Sequence, residues 1–269
     1  MSILRRSTSE VSAEAWEELD RQAKLVFQTT LSARKVVDFV GPRGWAYAAH
    51  PLGRLQANTD TLRPDGVKYG IHSVLPLVEL RRSFVLDMWE LDNIERGCRN
   101  PDLRPLEEAA RSVAAFEENA IYNGFEPAGI VGLSGAGATS AVDLRHDAEA
   151  GFLKSLTTAL TRLRDASVQG PYALVACPSL WDKIYTGGEC CPLSQKVKNI
   201  TGGDIVRSTI EGKSFLLSRR GGDFELVAGQ DLSLGYEERH GTAVTFFFAE
   251  SFTFNVVNPE AVVPLIGGA

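Results

Sequence analysis

Three short stretches of the sequence carry residue types that chemistry can use. GLSGA, Gly132 to Ala136, sets a serine between glycines, as does the sharp turn on which many hydrolases hold a nucleophile. Ser134 would be that nucleophile, and Asp231 and His240 follow in the order an acid and a base would need. Against this, the closing glycine of the motif is missing, and GATSAVD is a poor start for the helix such a turn must feed. The alternative is a flexible connector. No Lys-Ser/Thr pair follows these glycines and no GxGxxG is present, so they do not form a phosphate loop. Cys190 and Cys191 are neighbours, a spacing that strains a disulfide between them. His50, His72, His146 and His240 do not cluster with them in sequence, so no metal is expected. Trp89, in LDMWELDNIERG, has a ring that can stack on a planar ligand, although such a residue more commonly belongs to a core. Residue chemistry alone defines no catalytic centre.

The elements that would position these residues follow from apolar periodicity. Ser12 can cap a helix running to about Leu31, with Trp16, Leu19, Ala23, Val26 and Phe27 on one stripe. KVVDFVGPRGW reads as a short extended run broken by glycine and proline. Residues 52 to 80 read as a long hairpin turning at RPDG, in which Val67, Tyr69, Ile71 and Leu75 alternate with polar or small residues. A lone hairpin is marginal in water, so its apolar side needs a surface, from its own domain or from another subunit. A second long helix spans about Pro105 to Asn123, with Gly124 just past its end. Its buried face is Leu106, Ala109, Val113, Phe116 and Ala120. The glycine-rich GIVGLSGAGATSAVD then reads as a boundary between two lobes. A third helix (about 147–165), the strand YALVAC, two shorter helices and a run of strands complete an α+β order without regular βαβ alternation.

VTFFFAESFTFNV, Val244 to Val256, is a strand with an aromatic face that a carboxylate, Glu250, interrupts. An unpaired buried carboxylate costs several kcal/mol. A bulge near Ala249 to Ser251 that turns Glu250 out of the layer is the preferred expectation, and pairing with Arg81 or Arg82 is the other.

The chain has 269 residues, 44% hydrophobic and 23% charged, with a net charge of −6. That balance gives nucleic-acid binding no support. No signal-peptide core and no apolar run long enough for a membrane helix is visible, and the four cysteines form no CxxC pair. A cytoplasmic protein is the simplest expectation.

VVDFVGPRGW, FVLDMWELDNIERG, EEAARSVAAFEENAIYNG and the long C-terminal stretch beginning RGGDFELVAGQDLSLGYEERHG together resemble the encapsulin shell proteins, the linocin or bacteriocin-like family, of the family 1 type. The resemblance covers nearly the whole chain in order. It implies the tailed-phage major capsid protein fold (Hong-Kong-97-like), with a peripheral lobe (residues 1–45, 81–135 and 224–269), an extended loop (46–80) and an axial lobe (136–223). It implies self-assembly in a multiple of sixty copies into an icosahedral cage, around a cargo such as a ferritin-like protein or dye-decolorising peroxidase, and no catalysis by the subunit. Cargo of this family carries a C-terminal targeting peptide. Carried over here, its docking surface would involve Phe27, Leu31, Arg34, Asp38, Leu232, Leu234 and Tyr236. Thr186, Gly187, Gly188, Glu189, Cys190 and Cys191 would ring a five-fold pore, although paired cysteines are unusual for the family there. No cofactor is required, while a flavin at Trp89 is conceivable because some relatives bind one at that position. A prophage or viral capsid protein of the same fold is the alternative class, and a hydrolase using Ser134 a distant third.

Overall fold

The computed structural model describes residues 3–57, 67–145, 148–187 and 191–267. In chain order the elements are α1 (Ala13–Thr30), β1 (Asp38–Val40), β2 (Ala49–Ala57), β3 (Gly70–Pro76), β4 (Val78–Asp87), α2 (Met88–Glu95), α3 (Arg104–Asn123), α4 (Gly132–Ala136) and β5 (Val142–Asp143). There follow α5 (Glu149–Asp165), β6 (Tyr172–Ala176), α6 (Pro178–Thr186), α7 (Leu193–Thr201), β7 (Ile205–Arg207), β8 (Lys213–Ser218), β9 (Phe224–His240), β10 (Ala243–Val256) and β11 (Val262–Ile266). They make three sheets, ordered β1-β9-β10-β4, β5-β11-β8-β6-β7 and β2-β3.

The first sheet is built around β10. Helix α1 starts where the Ser12 hydroxyl accepts the Ala15 amide proton, and it buries Ala15, Trp16, Leu19, Ala23 and Val26. It packs on α3, and α3 packs on β4 and β10. Between them the aromatic face of β10 is filled edge to face and face to face. Trp16 meets Phe246 and Phe27 meets Phe248, each pair at 5.4 Å, while Phe84 stacks on Phe246 at 5.7 Å and on Phe248 at 5.4 Å. Such pairs add about 0.5–1.5 kcal/mol each beyond their burial. The opposite face is covered as well. The Phe247 ring lies over Gly235, where a Cβ would come within 2.4 Å of it, and Arg81 stacks above the ring at 4.3 Å.

β9 has 17 residues against 14 in its antiparallel partner β10, and three register shifts absorb the excess. Two of them flank Glu250, between Ala249 and Phe252, with the extra residues on β9. The bulge expected near this point is present but does not turn Glu250 away, because it lies in the partner strand.

The second sheet carries α5, α6 and α7, and its strand β6, between β8 and β7, is buried throughout. Two features of the connections between the sheets were not read from the sequence. β11 does not lie with β9 and β10 in the first sheet but sits between β5 and β8 of the second. Its Val262, Val263, Pro264 and Leu265 are all buried, so this apolar run needs cover on both faces. The glycine-rich connector is also no loose linker, because it contains α4, whose Leu133 is fully buried. At Gly132 (φ +69°) an added Cβ would stand 2.3 Å from the Gly124 nitrogen, and at Gly124 (φ +93°) 2.6 Å from the Val131 oxygen. These glycines let two backbone segments touch.

The hairpin β2–β3 forms its own two-stranded sheet. Its expected RPDG turn lies outside the described residues. Leu55, Ile71 and Val74 are exposed along the hairpin, Ile71 by 66%.

Candidate functional site

Between α1 and the edge of β9 runs a groove of about 550 Å³. Its apolar walls come from Ala23, Phe27, Leu31, Leu232, Leu234 and Phe248. Helical spacing sets Ala23, Phe27 and Leu31 on one face of α1, and strand alternation sets Leu232 and Leu234 on one face of β9. The structure thus brings together five of the seven expected docking residues: Phe27, Leu31, Arg34, Leu232 and Leu234. Asp38 lies behind Arg34 in a smaller cleft of about 120 Å³, where its carboxylate accepts the Gly222 amide proton at 2.5 Å. Tyr236 is turned into the core, edge-on to Phe246 at 6.4 Å. Its backbone N–H donates to the Leu4 carbonyl at 2.9 Å. Arg6 then binds the Leu234 carbonyl at 2.8 Å and the Asp20 carboxylate, so the N-terminal segment closes one end of the groove.

The groove stands on a buried ionic hub. The Arg34 guanidinium donates from Nη2 to Glu117 at 2.5 Å and to Glu250 at 2.7 Å, and from Nη1 to Asp231 at 2.8 Å. Glu117 and Glu250 are both fully buried. This reverses the preferred sequence expectation: Glu250 points inward and is held by an arginine, and that arginine is Arg34 rather than Arg81 or Arg82. The hub sits at the seam of two apolar clusters, with Phe246 and Phe248 in one and Phe252 and Phe254 in the other. Burial works against the charge of Arg34, but Glu117, Glu250 and Asp231 outweigh it and hold the guanidinium pKa above its ordinary value. Burial, then the nearby charge of Glu117, pushes the Glu250 carboxyl well above the usual carboxylate range.

Beside the hub, the next residue of α3 grips the same turn. Glu118 accepts the Ala33 amide proton at 2.7 Å and the Ser32 hydroxyl proton, and Tyr122 reaches the same hydroxyl at 2.8 Å. Burial raises the Glu118 carboxyl to about 7, although the bonds from Ser32 and Ala33 pull the other way. Sequence reasoning missed Glu117 and Glu118. One signal was available, since Glu117 falls four residues after Val113 on the buried stripe of α3.

The other candidates do not converge. Ser134 donates to Asn123 at 3.4 Å, Asp231 is engaged by Arg34, and the exposed His240 faces Glu238 at 3.2 Å. The serine triad is not assembled. Trp89 is 62% exposed on α2, not core. Its shallow pocket also presents Asp87, Glu90 and Asp102, and Arg96 stands over the ring at 5.9 Å. An indole face is therefore open there, with acids and an arginine beside it. Of the expected pore loop, Thr186 closes α6 by donating to the Asp182 carbonyl, Gly187 follows, and Cys191 is an exposed free thiol. Gly188, Glu189 and Cys190 lie outside the described residues. Among the described residues no group of three or more His, Cys, Asp or Glu side chains could hold a metal, and no helix is long and apolar enough to cross a membrane.

Two large sheets, the long helix α3 and the β2–β3 hairpin make a capsid-like fold. The fold is similar to a virus-like particle from Pyrococcus furiosus (TM-score 0.67, 21% identity, covering 94% of this chain and 100% of that one). It is also similar to the capsid of Myoviridae phage XM1 (TM-score 0.57, 15% identity, covering 88% of this chain and 92% of that one). Residues 1–253 match the family described as encapsulating protein for peroxidase. Type 1 encapsulin shell proteins of Rhodospirillum rubrum and Mycobacterium tuberculosis are 39% and 33% identical, covering 99% and 98% of this chain and 97% and 99% of theirs. The chain belongs to the type 1 encapsulin shell family.

Proposed function

We propose that this chain closes, in a multiple of sixty copies, into an icosahedral cytoplasmic cage that encloses a cargo enzyme, and that the cargo's C-terminal segment docks in the groove between α1 and β9. The observation that carries the reading is the groove itself. Its apolar lining includes the half-buried Phe27 and Leu232, one on each wall, and its lining pair Arg34 and Asp231 are already bound to each other. An extended segment with apolar side chains at alternate positions fits such a slot without burying an unpaired charge. The family description favours a peroxidase as cargo, and a ferritin-like oxidase is the other expected class. The subunit needs no cofactor for this role.

The test is co-expression with a fluorescent reporter carrying an apolar C-terminal tail. Closed hollow particles are expected by electron microscopy, with reporter retained by the wild type. In Leu232→Asp combined with Phe27→Asp the particles should persist and the reporter should be lost. A reporter retained equally by both would remove the groove from the reading. A prophage capsid is the second reading, and DNA inside the purified particles would favour it.

A further inference from the structure

The hub under the groove holds more acid than base. One guanidinium faces two fully buried carboxylates, Glu117 from α3 and Glu250 from β10, and a third, half-exposed one, Asp231 from β9. Glu117 and Glu250 share the same donor, Arg34 Nη2, so their carboxyl groups converge on one nitrogen. Glu250 Oε2 is fully buried and receives no hydrogen bond. Leu80, its cross-strand neighbour on β4, is uncharged. Glu118 is spent on Ser32 and Ala33, and Tyr122 on Ser32, on the far side of the turn. Two like charges at this separation in a dry site do not both persist, and a proton held between them removes one. A proton on Oε2 would also give that atom the role it lacks, as donor to the neighbouring carboxylate.

Resting on the docking assignment above, we propose that Glu250 is a positioning residue for the groove: its buried carboxyl shares one proton with Glu117, and together they fix Arg34, which in turn holds Asp231 and the bulged stretch of β9 that presents Leu232 and Leu234. The link is short. Arg34 Nη1 binds Asp231 Oδ1, and the same oxygen accepts the Leu232 amide proton at 2.8 Å. Moving Arg34 therefore moves the wall. Loss of the shared proton at alkaline pH places a second uncompensated charge beneath Arg34 and loosens that wall, so docking weakens as pH rises.

The experiment uses assembled wild-type, Glu250→Gln and Glu250→Ala particles. Infrared spectra at about pH 8.5, above the titration of Glu118, report protonated carboxyl groups directly. A carboxylic-acid band is expected in the wild type and absent from Glu250→Gln. Hydrogen exchange of residues 230–236, corrected for intrinsic rates, should be unchanged in Glu250→Gln, whose amide can donate to Glu117 as the acid does. It should rise at least about tenfold in Glu250→Ala, the effect of roughly one lost buried contact. A labelled nonapeptide alternating leucine with serine should bind wild type more weakly at a pH where that infrared band has disappeared than at about pH 8.5, and Glu250→Gln equally at both. Identical infrared spectra for wild type and Glu250→Gln would overturn the shared proton. Equal exchange in all three would overturn the positioning role. A band and an exchange pattern as expected, with a peptide that docks on no variant, would leave the hub standing as a brace of β9 and overturn instead the assignment of the groove.

Discussion

The groove and the β2–β3 hairpin both present apolar side chains at the surface, half-buried at Phe27 and Leu232 in the first and exposed in the second, and they are built in opposite ways. The groove wall is one edge of a four-stranded sheet, backed by stacked phenylalanines and braced from below by Arg34. The hairpin is two strands with Leu55, Ile71 and Val74 exposed. A two-stranded ribbon has little independent stability, so it completes itself on another surface, whereas a braced wall is shaped before anything arrives. Apolar exposure alone therefore does not say what a surface does. The backing distinguishes them: it suits the groove to the docking role proposed above and the hairpin to a role as fastener.

Substitutions can break or sharpen that contrast. Arg34→Met strands Glu117 and Glu250 without a cation and should cost about 3–5 kcal/mol of subunit stability, read by denaturant unfolding of the dissociated subunit. Gly132→Ala should cost about 1–3 kcal/mol from its backbone conformation alone, with the clash against Gly124 in addition. Lowered soluble yield and melting temperature would show it, and an unaffected protein would restore the loose-linker reading of this stretch. Phe27→Ala on the groove rim should weaken peptide docking by about 1–2 kcal/mol, near tenfold, while assembly persists. Titration of the labelled nonapeptide checks this.

Glu118 gives a pH signature. Its carboxyl rises from 4.5 unfolded to about 7 folded, so the folded state holds the extra proton between those values. The stabilisation is complete below about 4.5 and is lost as pH rises through about 7. Melting temperature should fall across that window in the wild type and much less in Glu118→Gln. The smallest expected change in subunit stability, within about 0.5 kcal/mol, is for Ile71→Ser on the hairpin, which should nevertheless abolish closed particles on size-exclusion chromatography. If Ile71→Ser unfolded the subunit as Arg34→Met does, the hairpin would be part of the fold rather than a fastener.

Local pattern made much of this legible. The stripe Trp16, Leu19, Ala23, Val26 and Phe27 placed the packed face of α1, because helical period projects directly onto a face, whereas the groove residues were reached through the resemblance to the shell family. The floor was not legible. Arg34 meets Glu117, Asp231 and Glu250 across 83, 197 and 216 residues, and no local rule links such partners. The glycines around α4 misled for another reason: freedom to bend and room for close approach require the same residue. Trp89 sits on α2, a helix of eight residues, too short for a stripe to reveal whether its ring faces in or out.

The placement of β11 has a consequence for the particle. The chain crosses between the two large sheets three times: after α4, between β8 and β9, and between β10 and β11. Tyr122 of α3 also stacks on Phe215 of β8 at 5.3 Å, so one apolar mass continues from sheet to sheet. A single tether would act as a swivel, whereas three strands of chain around a common filling act as a weld. Curvature is then a fixed property of each tile, and any swelling or shrinking of a closed container made from it must be absorbed at the joints between tiles.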